Sequence, residues 1–396
     1  MLVPKLRFKR EDGTDYPEWE ELSMSEIFTE IIEKNRPDLP VLSILQGKGT
    51  VYRDNSDRNI MYDKKSTGNY KAMRKGDFII HLRTFEGGLE CATLDGISSP
   101  AYKILRTDKL IPEAYKAYFR SKQFIEGRLA IAVTGVRDGK NIEMSTFWQI
   151  LVPVPCLEEQ QKIADFLSNV DEVIAQSEAE VANLQQQKKA AMQKIFSQEV
   201  RFKREDGTSY PEWEEKKLAY CFEERNTKQI PTDEAPLMAF IAYKGVADKG
   251  DRYDRSYLVK TDGKKYKRTE YNDFIYSSNN LDVGSIGLNK YGTAVISVVY
   301  QVFKVKDTAI PDFISALLQT PENMNKIIQY RQGCLYGQYK IYANDFLSVI
   351  TAIPCPEEQQ KIADFLATYD EAISCAKQEL DKWKELKKGL LQQMFA

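Results

Sequence analysis

With 396 residues, 42% hydrophobic and 29% charged, the chain has the composition of a globular protein of two to four domains. No run of 18 apolar residues occurs, which excludes a helical membrane span, and the N-terminus MLVPKLRFKRED lacks the apolar core and cleavage site of an export signal, so a cytoplasmic location is expected. The net charge of −2 conceals a segregation: Leu22 to Pro155 carries 20 Lys and Arg against 16 Asp and Glu, Lys216 to Ile353 carries 19 against 15, and the remaining stretches are acidic.

The first element of note is RFKREDGTDYPEWEE at Arg7 to Glu21, because it returns at Arg201 to Glu215 with only Asp15 exchanged for Ser209. The stretch PCLEEQQKIADFL at Pro155 to Leu167 likewise returns at Pro354 to Leu366 with only Leu157 exchanged for Pro356. The chain is therefore two copies of one unit. Between the near-identical borders the copies share only scattered residues, so a common task at the borders and a different task in each middle are expected. Four segments follow: residues 1–155 and 201–353 as two modules with their border repeats, and 156–200 and 354–396 as two long helices.

Each middle reads as mixed α/β. Gly76 to Ile80 and Asp273 to Tyr276 are strand-like and lead into the turn clusters Glu86-Gly87-Gly88 and Asn279-Asn280, with further strands in Ala294 to Val305. Pro112 to Leu129 and Pro311 to Tyr330 are amphipathic and predict helix. A glycine-marked polar loop follows in each copy, Thr134 to Asn141 and Arg331 to Lys340, before a last strand.

From Glu158 to about Phe196 neither proline nor glycine occurs, and Ile163, Phe166, Val170, Val173, Ser177, Val181, Leu184, Lys188, Ala191 and Ile195 recur at spacings of three and four. The counterpart from Glu357 to about Phe395 places Ile362, Phe365, Tyr369, Ile373, Ala376, Leu380, Trp383, Lys387, Leu390 and Met394 in the same pattern. Two helices of some forty residues, roughly 60 Å long, are predicted. A single apolar stripe cannot stabilise such a helix alone, so the two are expected to bury each other's seams. Because the second helix ends where the first repeat begins, an antiparallel pair in a pseudo-twofold, circular arrangement is expected.

The six cysteines lack metal-site spacing and read as packed, reduced thiols. No phosphate-loop, dinucleotide or methyltransferase signature occurs, and a single histidine, His81, offers little to acid–base catalysis. Basic, aromatic and amide residues remain. Lys64, Lys65, Lys71 and Arg74, with Tyr70 and Lys75, in the first copy, and Lys264, Lys265 and Lys267, with Tyr266 and Arg268, in the second, are candidates for phosphate contact. Arg137, Lys140 and Asn141 in the first loop, and Tyr336, Gln338, Tyr339 and Lys340 in the second, could reach base edges. Asn279 and Asn280 add two amides.

Taken together, the two dissimilar modules, the repeated DGTxYPEWEE lead-in and the EEQQKIADFL opening of each long helix resemble the DNA-specificity subunit of type I restriction-modification enzymes. The resemblance implies that each module reads one half of a bipartite asymmetric site in double-stranded DNA. It further implies that the helices form an antiparallel coiled coil and that the repeated surfaces dock two methyltransferase subunits, to which restriction subunits attach. On that basis Glu158, Glu159, Gln160, Gln161, Glu357, Glu358, Gln359 and Gln360 are expected to bind partners. No catalytic residue, metal or cofactor is expected in this chain; S-adenosylmethionine, ATP and magnesium would belong to the partners. A coiled-coil scaffold with two protein-binding lobes, and a self-contained nuclease or methylase, are the competing readings.

Overall fold

The computed structural model describes residues 4–53, 64–82, 87–135, 140–242, 244–248, 263–281, 284–335 and 338–395. The chain divides into two compact units, residues 1–180 with 376–396, and residues 181–375. The division falls inside the long helices, so each unit contains one module and half of each helix.

In the first unit a four-stranded antiparallel sheet forms the centre. Phe78–His81 runs between Tyr102–Arg106 and Glu90–Cys91, and Thr29–Ile31 lies at the outer edge of Tyr102–Arg106. The second unit repeats this order with Phe222–Glu224, Gln301–Val305, Phe274–Tyr276 and Ile286–Leu288. The sequence patterns find these strands because their apolar residues are buried: Phe78, Ile80 and Leu105 in one, Phe274, Tyr276 and Phe303 in the other. Just before the central strand, a buried carboxylate receives a two-pronged arginine in each unit. Arg106 donates to both oxygens of Asp77 at 2.7 Å, and Arg225 to those of Asp273 at 2.6 and 3.1 Å. Arg106 ends the Tyr102–Arg106 strand and Arg225 follows the Phe222–Glu224 strand, so the two modules satisfy the same buried charge in two ways.

The segment predicted as one helix over Pro112 to Leu129 is instead broken. Pro112–Tyr115 is α-helical, Tyr118–Arg120 is a 3-10 turn, and Gln123–Arg128 is a π-helix after Ser121 adopts an extended conformation. The reason is geometric. Tyr115, Tyr118 and Phe119 share a helical face, but Phe124 would lie about 140° from Phe119 on a continuous helix. The break at Ser121 returns Phe124 to the core, where all four rings are buried. Pro311 to Tyr330 is likewise two helices, Pro311–Leu318 and Pro321–Ile328, divided where Pro321 takes the first helical position and Thr320 caps it by accepting from the Asn323 N–H.

The long helices span Leu157–Phe196 and Pro356–Met394. Every residue of the two predicted seams is buried or half-buried. Within the first unit Lys387 pairs with Asp171, and Lys384 with Glu178 at 2.6 Å. Within the second, Lys188 pairs with Asp370 at 2.5 Å. In the first unit the partner number falls as the position along the first helix rises, so the halves run antiparallel there. The end of the chain docks on its beginning inside the first unit: the Leu6 N–H donates to the Gln393 carbonyl at 3.1 Å, and Phe395 stacks on Tyr118 at 4.7 Å and meets Trp19 and Tyr115 edge-on.

Each long helix is anchored at its start by the repeat that precedes the module. Arg7 donates to both oxygens of Glu159 at 3.2 and 2.8 Å, and the Trp19 indole N–H donates to the same carboxylate at 3.0 Å. In the second unit Arg201 donates to both oxygens of Glu358 at 3.2 and 2.9 Å, and the Trp213 indole N–H donates to the same carboxylate at 3.1 Å. Both carboxylates are wholly buried, near the positive end of a helix. Removing one partner of a buried, hydrogen-bonded ion pair strands the other charge. Glu358→Ala should therefore lower unfolding stability by about 3 kcal/mol, and Glu358→Gln, which still accepts from Trp213, by clearly less. Urea denaturation of the two variants against the parent protein measures both.

Candidate nucleic-acid interface

The repeated openings of the long helices divide into inward and outward residues. Glu159, Gln160, Glu358 and Gln359, expected to bind partners, are buried at 1% exposure or less. Gln160 accepts from the Ile111 N–H at 2.8 Å and donates to the carbonyls of Lys109 and Pro155, both at 2.9 Å. Gln359 repeats this with Ile310 at 2.9 Å and Pro354 at 3.0 Å. Their side chains are used up inside their own unit, which corrects that expectation: these four hold the module to the helix. Their neighbours Glu158, Gln161, Glu357 and Gln360 are exposed, as positions on the outer side of a helix must be.

In each module the glycine-marked loop is a β-hairpin. Val133–Thr134 pairs with Asn141–Ile142, and Gln332–Leu335 with Gln338–Lys340. Each is pinned by a buried isoleucine. The Ile142 N–H donates to the Leu82 carbonyl at 3.0 Å, and the Ile341 N–H to the Ser278 hydroxyl at 2.9 Å. Lys140 and Asn141 are exposed on the first hairpin, and Tyr339 and Lys340 on the second. Arg137 and Tyr336 lie outside the described residues, as do the side chains of Lys64, Lys65 and Gln338.

In the second unit the hairpin borders an open cleft of about 920 Å³. Four of the sequence candidates, Lys267, Asn279, Tyr339 and Lys340, line it together. Asn279 contributes by position, since its side-chain oxygen accepts the Tyr339 N–H at 2.6 Å and so fixes the hairpin. Cations lie over aromatic rings, with Arg331 5.2 Å from the Tyr339 centroid and Lys340 4.5 Å from that of Tyr342. The sequence reading did not single out Glu224, Asn226, Lys228, Gln301, Gln332 and Asn344, which also line it. They come from four separate segments, and nothing short of the tertiary fold brings them together. Asn280, Lys264, Lys265 and Arg74 are exposed but do not line this cleft; Lys264 lies 5.4 Å over the Tyr266 ring.

Lys71 and Lys267 depart from their expected role as phosphate contacts. Both sit in strands that are buried apart from Arg268, with side chains largely withdrawn from solvent. Lys71 donates to the Tyr102 carbonyl at 2.8 Å, and Lys267 to the Gln301 side-chain oxygen at 2.8 Å. Burial pulls both ammonium groups below the ordinary lysine value. A lysine within a basic run reads as solvated until strand pairing turns it inward. The cysteines behave as packed thiols where they are most enclosed: burial pushes Cys91 and Cys221 up to about 12. His81 packs edge-on against Tyr102 at 5.1 Å. Among the described residues no helix is long and apolar enough to cross a membrane, and no cluster of potential metal ligands occurs.

The chain matches the model of the type I restriction modification DNA specificity domain over residues 102–186 and 210–384. It is 24% identical over 306 residues to the type I restriction enzyme MjaX specificity subunit of Methanocaldococcus jannaschii, covering 73% of this chain and 68% of that one. To the MjaVIII specificity subunit of the same organism it is 27% identical over 220 residues, covering 53% of this chain and 51% of the relative. In fold it resembles the S subunit of a type I restriction-modification system from M. genitalium, with a TM-score of 0.54 at 15% identity over 100% of this chain and 99% of that one. It also resembles a chain from a study of complex assembly in a type I R-M system, with a TM-score of 0.57 at 15% identity over 96% and 98%.

The hairpin–cleft arrangement makes a local prediction. Asn279→Ala removes the acceptor of the Tyr339 N–H, a loss of about 1 kcal/mol, and should speed exchange of that amide roughly fivefold. Hydrogen exchange resolved to the 338–340 strand reads it, while the Ile341 amide, held by Ser278, should change far less.

Proposed function

Because the chain belongs to the family of type I restriction-modification DNA specificity domains, we propose that its two modules each bind one half of a bipartite, asymmetric site in double-stranded DNA. The observation that carries this is the contrast between frame and cleft. The anchors of the two units are the same Arg, Trp, Glu and Gln at matching places, whereas the residues around the two hairpins differ: Lys140-Asn141-Ile142 in one, Tyr339-Lys340-Ile341 in the other. A common partner bound twice would hold the frame constant, and unlike half-sites would let the hairpins and their surroundings diverge. The basic surplus of both modules, against acidic borders, supports a polyanionic ligand.

In this reading the exposed Glu158, Gln161, Glu357 and Gln360 belong to surfaces that dock two methyltransferase subunits, with restriction subunits joining through them. The chain itself would make no bond; S-adenosylmethionine, ATP and magnesium would be handled by the partners. Lys340 and Lys228 would meet phosphates, and Tyr339, Gln332 and Asn344 would face base edges.

Exchanging residues 22–154 for the corresponding module of another family member should change one half of the methylated motif and leave the other intact. Methylome sequencing of cells carrying the chimera with its methyltransferase partner decides it; a motif altered in both halves, or in neither, rejects one module per half-site. Lys340→Ala should weaken binding to all duplexes alike and reduce the slope of log affinity against log salt by about 1. Titrations of the complex at several salt concentrations give that slope directly.

A further inference from the structure

Strand register aligns the two modules without recourse to sequence. In the first, Leu105 pairs with Glu30 on one side and Phe78 on the other. In the second, Phe303 pairs with Glu224 and Phe274. Glu30 and Glu224 therefore occupy one structural position. The same register equates Lys103, opposite Ile80, with Gln301, opposite Tyr276. Lys71 and Lys267 stand at the same distance in sequence before Phe78 and Phe274.

The shared position is wired differently in the two modules. Glu30 is neutralised: Lys103 donates to both its oxygens at 2.8 and 3.0 Å, and Lys71 lies 3.7 Å away. In the second module glutamine replaces that lysine, and Gln301 takes the Lys267 ammonium at 2.8 Å. Glu224 is left exposed, lining the cleft beside Lys228, Lys267 and Lys340; Lys267 is close enough to feel its charge but gives its hydrogen bond to Gln301 instead.

A carboxylate whose oxygens hold no donor is a liability where phosphates bind, because it repels them and would be desolvated without a hydrogen bond when the ligand seats. It becomes useful only if the ligand supplies a donor, since an ionised carboxylate can do nothing but accept. In the major groove bases supply that donor as an exocyclic amine, N4 of cytosine or N6 of adenine, and guanine O6 and thymine O4 present an acceptor in its place. We propose that Glu224 is a specificity-determining residue of the second module, accepting from the exocyclic amine of one base and rejecting keto bases at that position. The proposal rests on the DNA-reading function given above.

The test uses the full chain assembled with its methyltransferase subunits and selection from a duplex library randomised across both half-sites. The parent complex should prefer an amine-bearing base over a keto base at one position of the second half-site by about 10- to 100-fold, and the recovered base shows whether the amine is that of cytosine or adenine. Glu224→Ala should erase the preference at that position alone, and Glu224→Gln, whose amide both donates and accepts, should admit keto bases there. A uniform rise in affinity for every duplex with the motif unchanged would overturn the proposal, reducing Glu224 to a modulator of cleft charge, while leaving DNA reading intact. No sequence selection by the parent complex would overturn the reading itself.

Discussion

The buried carboxylate at the start of each long helix is the point on which the architecture turns. Glu159 and Glu358 are wholly buried, and an ionised carboxylate in such a place is tolerable only when its lone pairs are filled. The fork of Arg7 or Arg201 and the indole of Trp19 or Trp213 fill them. Because arginine and tryptophan lie on the segment before the module and the glutamate on the helix after it, one charge cluster ties together the chain entering and leaving each module. The adjoining glutamine adds a second tie, from the helix to the loop that precedes Pro112 or Pro311. The Glu20–Ser23 strand pairs with Leu151–Val154, and Glu214–Lys217 with Ile350–Ile353, extending the same closure by backbone hydrogen bonds.

That closure explains why so much of each module can differ. A module held at its neck by an ion cluster, a glutamine and a two-stranded ribbon need not conserve its far surface to stay folded. Its own stability comes from a sheet whose register is fixed by buried aromatic residues, Phe28, Phe78 and Phe119 in one case, Phe222, Phe274, Phe303 and Phe346 in the other. Polar residues at strand ends and hairpins then vary without disturbing either neck or core.

What the sequence made legible follows from the range of the interactions concerned. The long helices and their seams were readable because helical periodicity is local and each seam runs for some forty residues. The docking of Phe395 beside Trp19 was inferable because the repeat showed where one copy ends and the next begins. The broken stretch after Pro112 was not, since the need to bring Phe124 back against Tyr118 and Phe119 is set by the packed core and not by the local pattern. The inward turn of Lys71 and Lys267, and the burial of Glu159 and Gln160 within an exposed-looking EEQQ, were hidden for a related reason. Charge and amide content mark a residue as polar, and only the partner across the fold decides whether it faces water. The cleft was half legible: Lys267, Asn279, Tyr339 and Lys340 were singled out by chemistry, and Asn226, Lys228, Gln301, Gln332 and Asn344 were supplied by topology.

The exchange of Lys103 for Gln301 shows how little is needed to change what a module presents. Replacing an ammonium by an amide at one strand position releases the carboxylate on the neighbouring strand, because a glutamine oxygen can satisfy the buried Lys267 in place of an acidic group. The sheet keeps its order, while a neutralised Glu30 becomes an open Glu224. Divergence of this kind is cheap at a rim where each polar atom can find water or a ligand, and costly at the neck, where Glu159 and Glu358 have no alternative to their arginine and tryptophan. The near-identity of the borders and the divergence of the middles are thus two consequences of one rule: a polar group is fixed in sequence to the degree that its partner cannot be replaced.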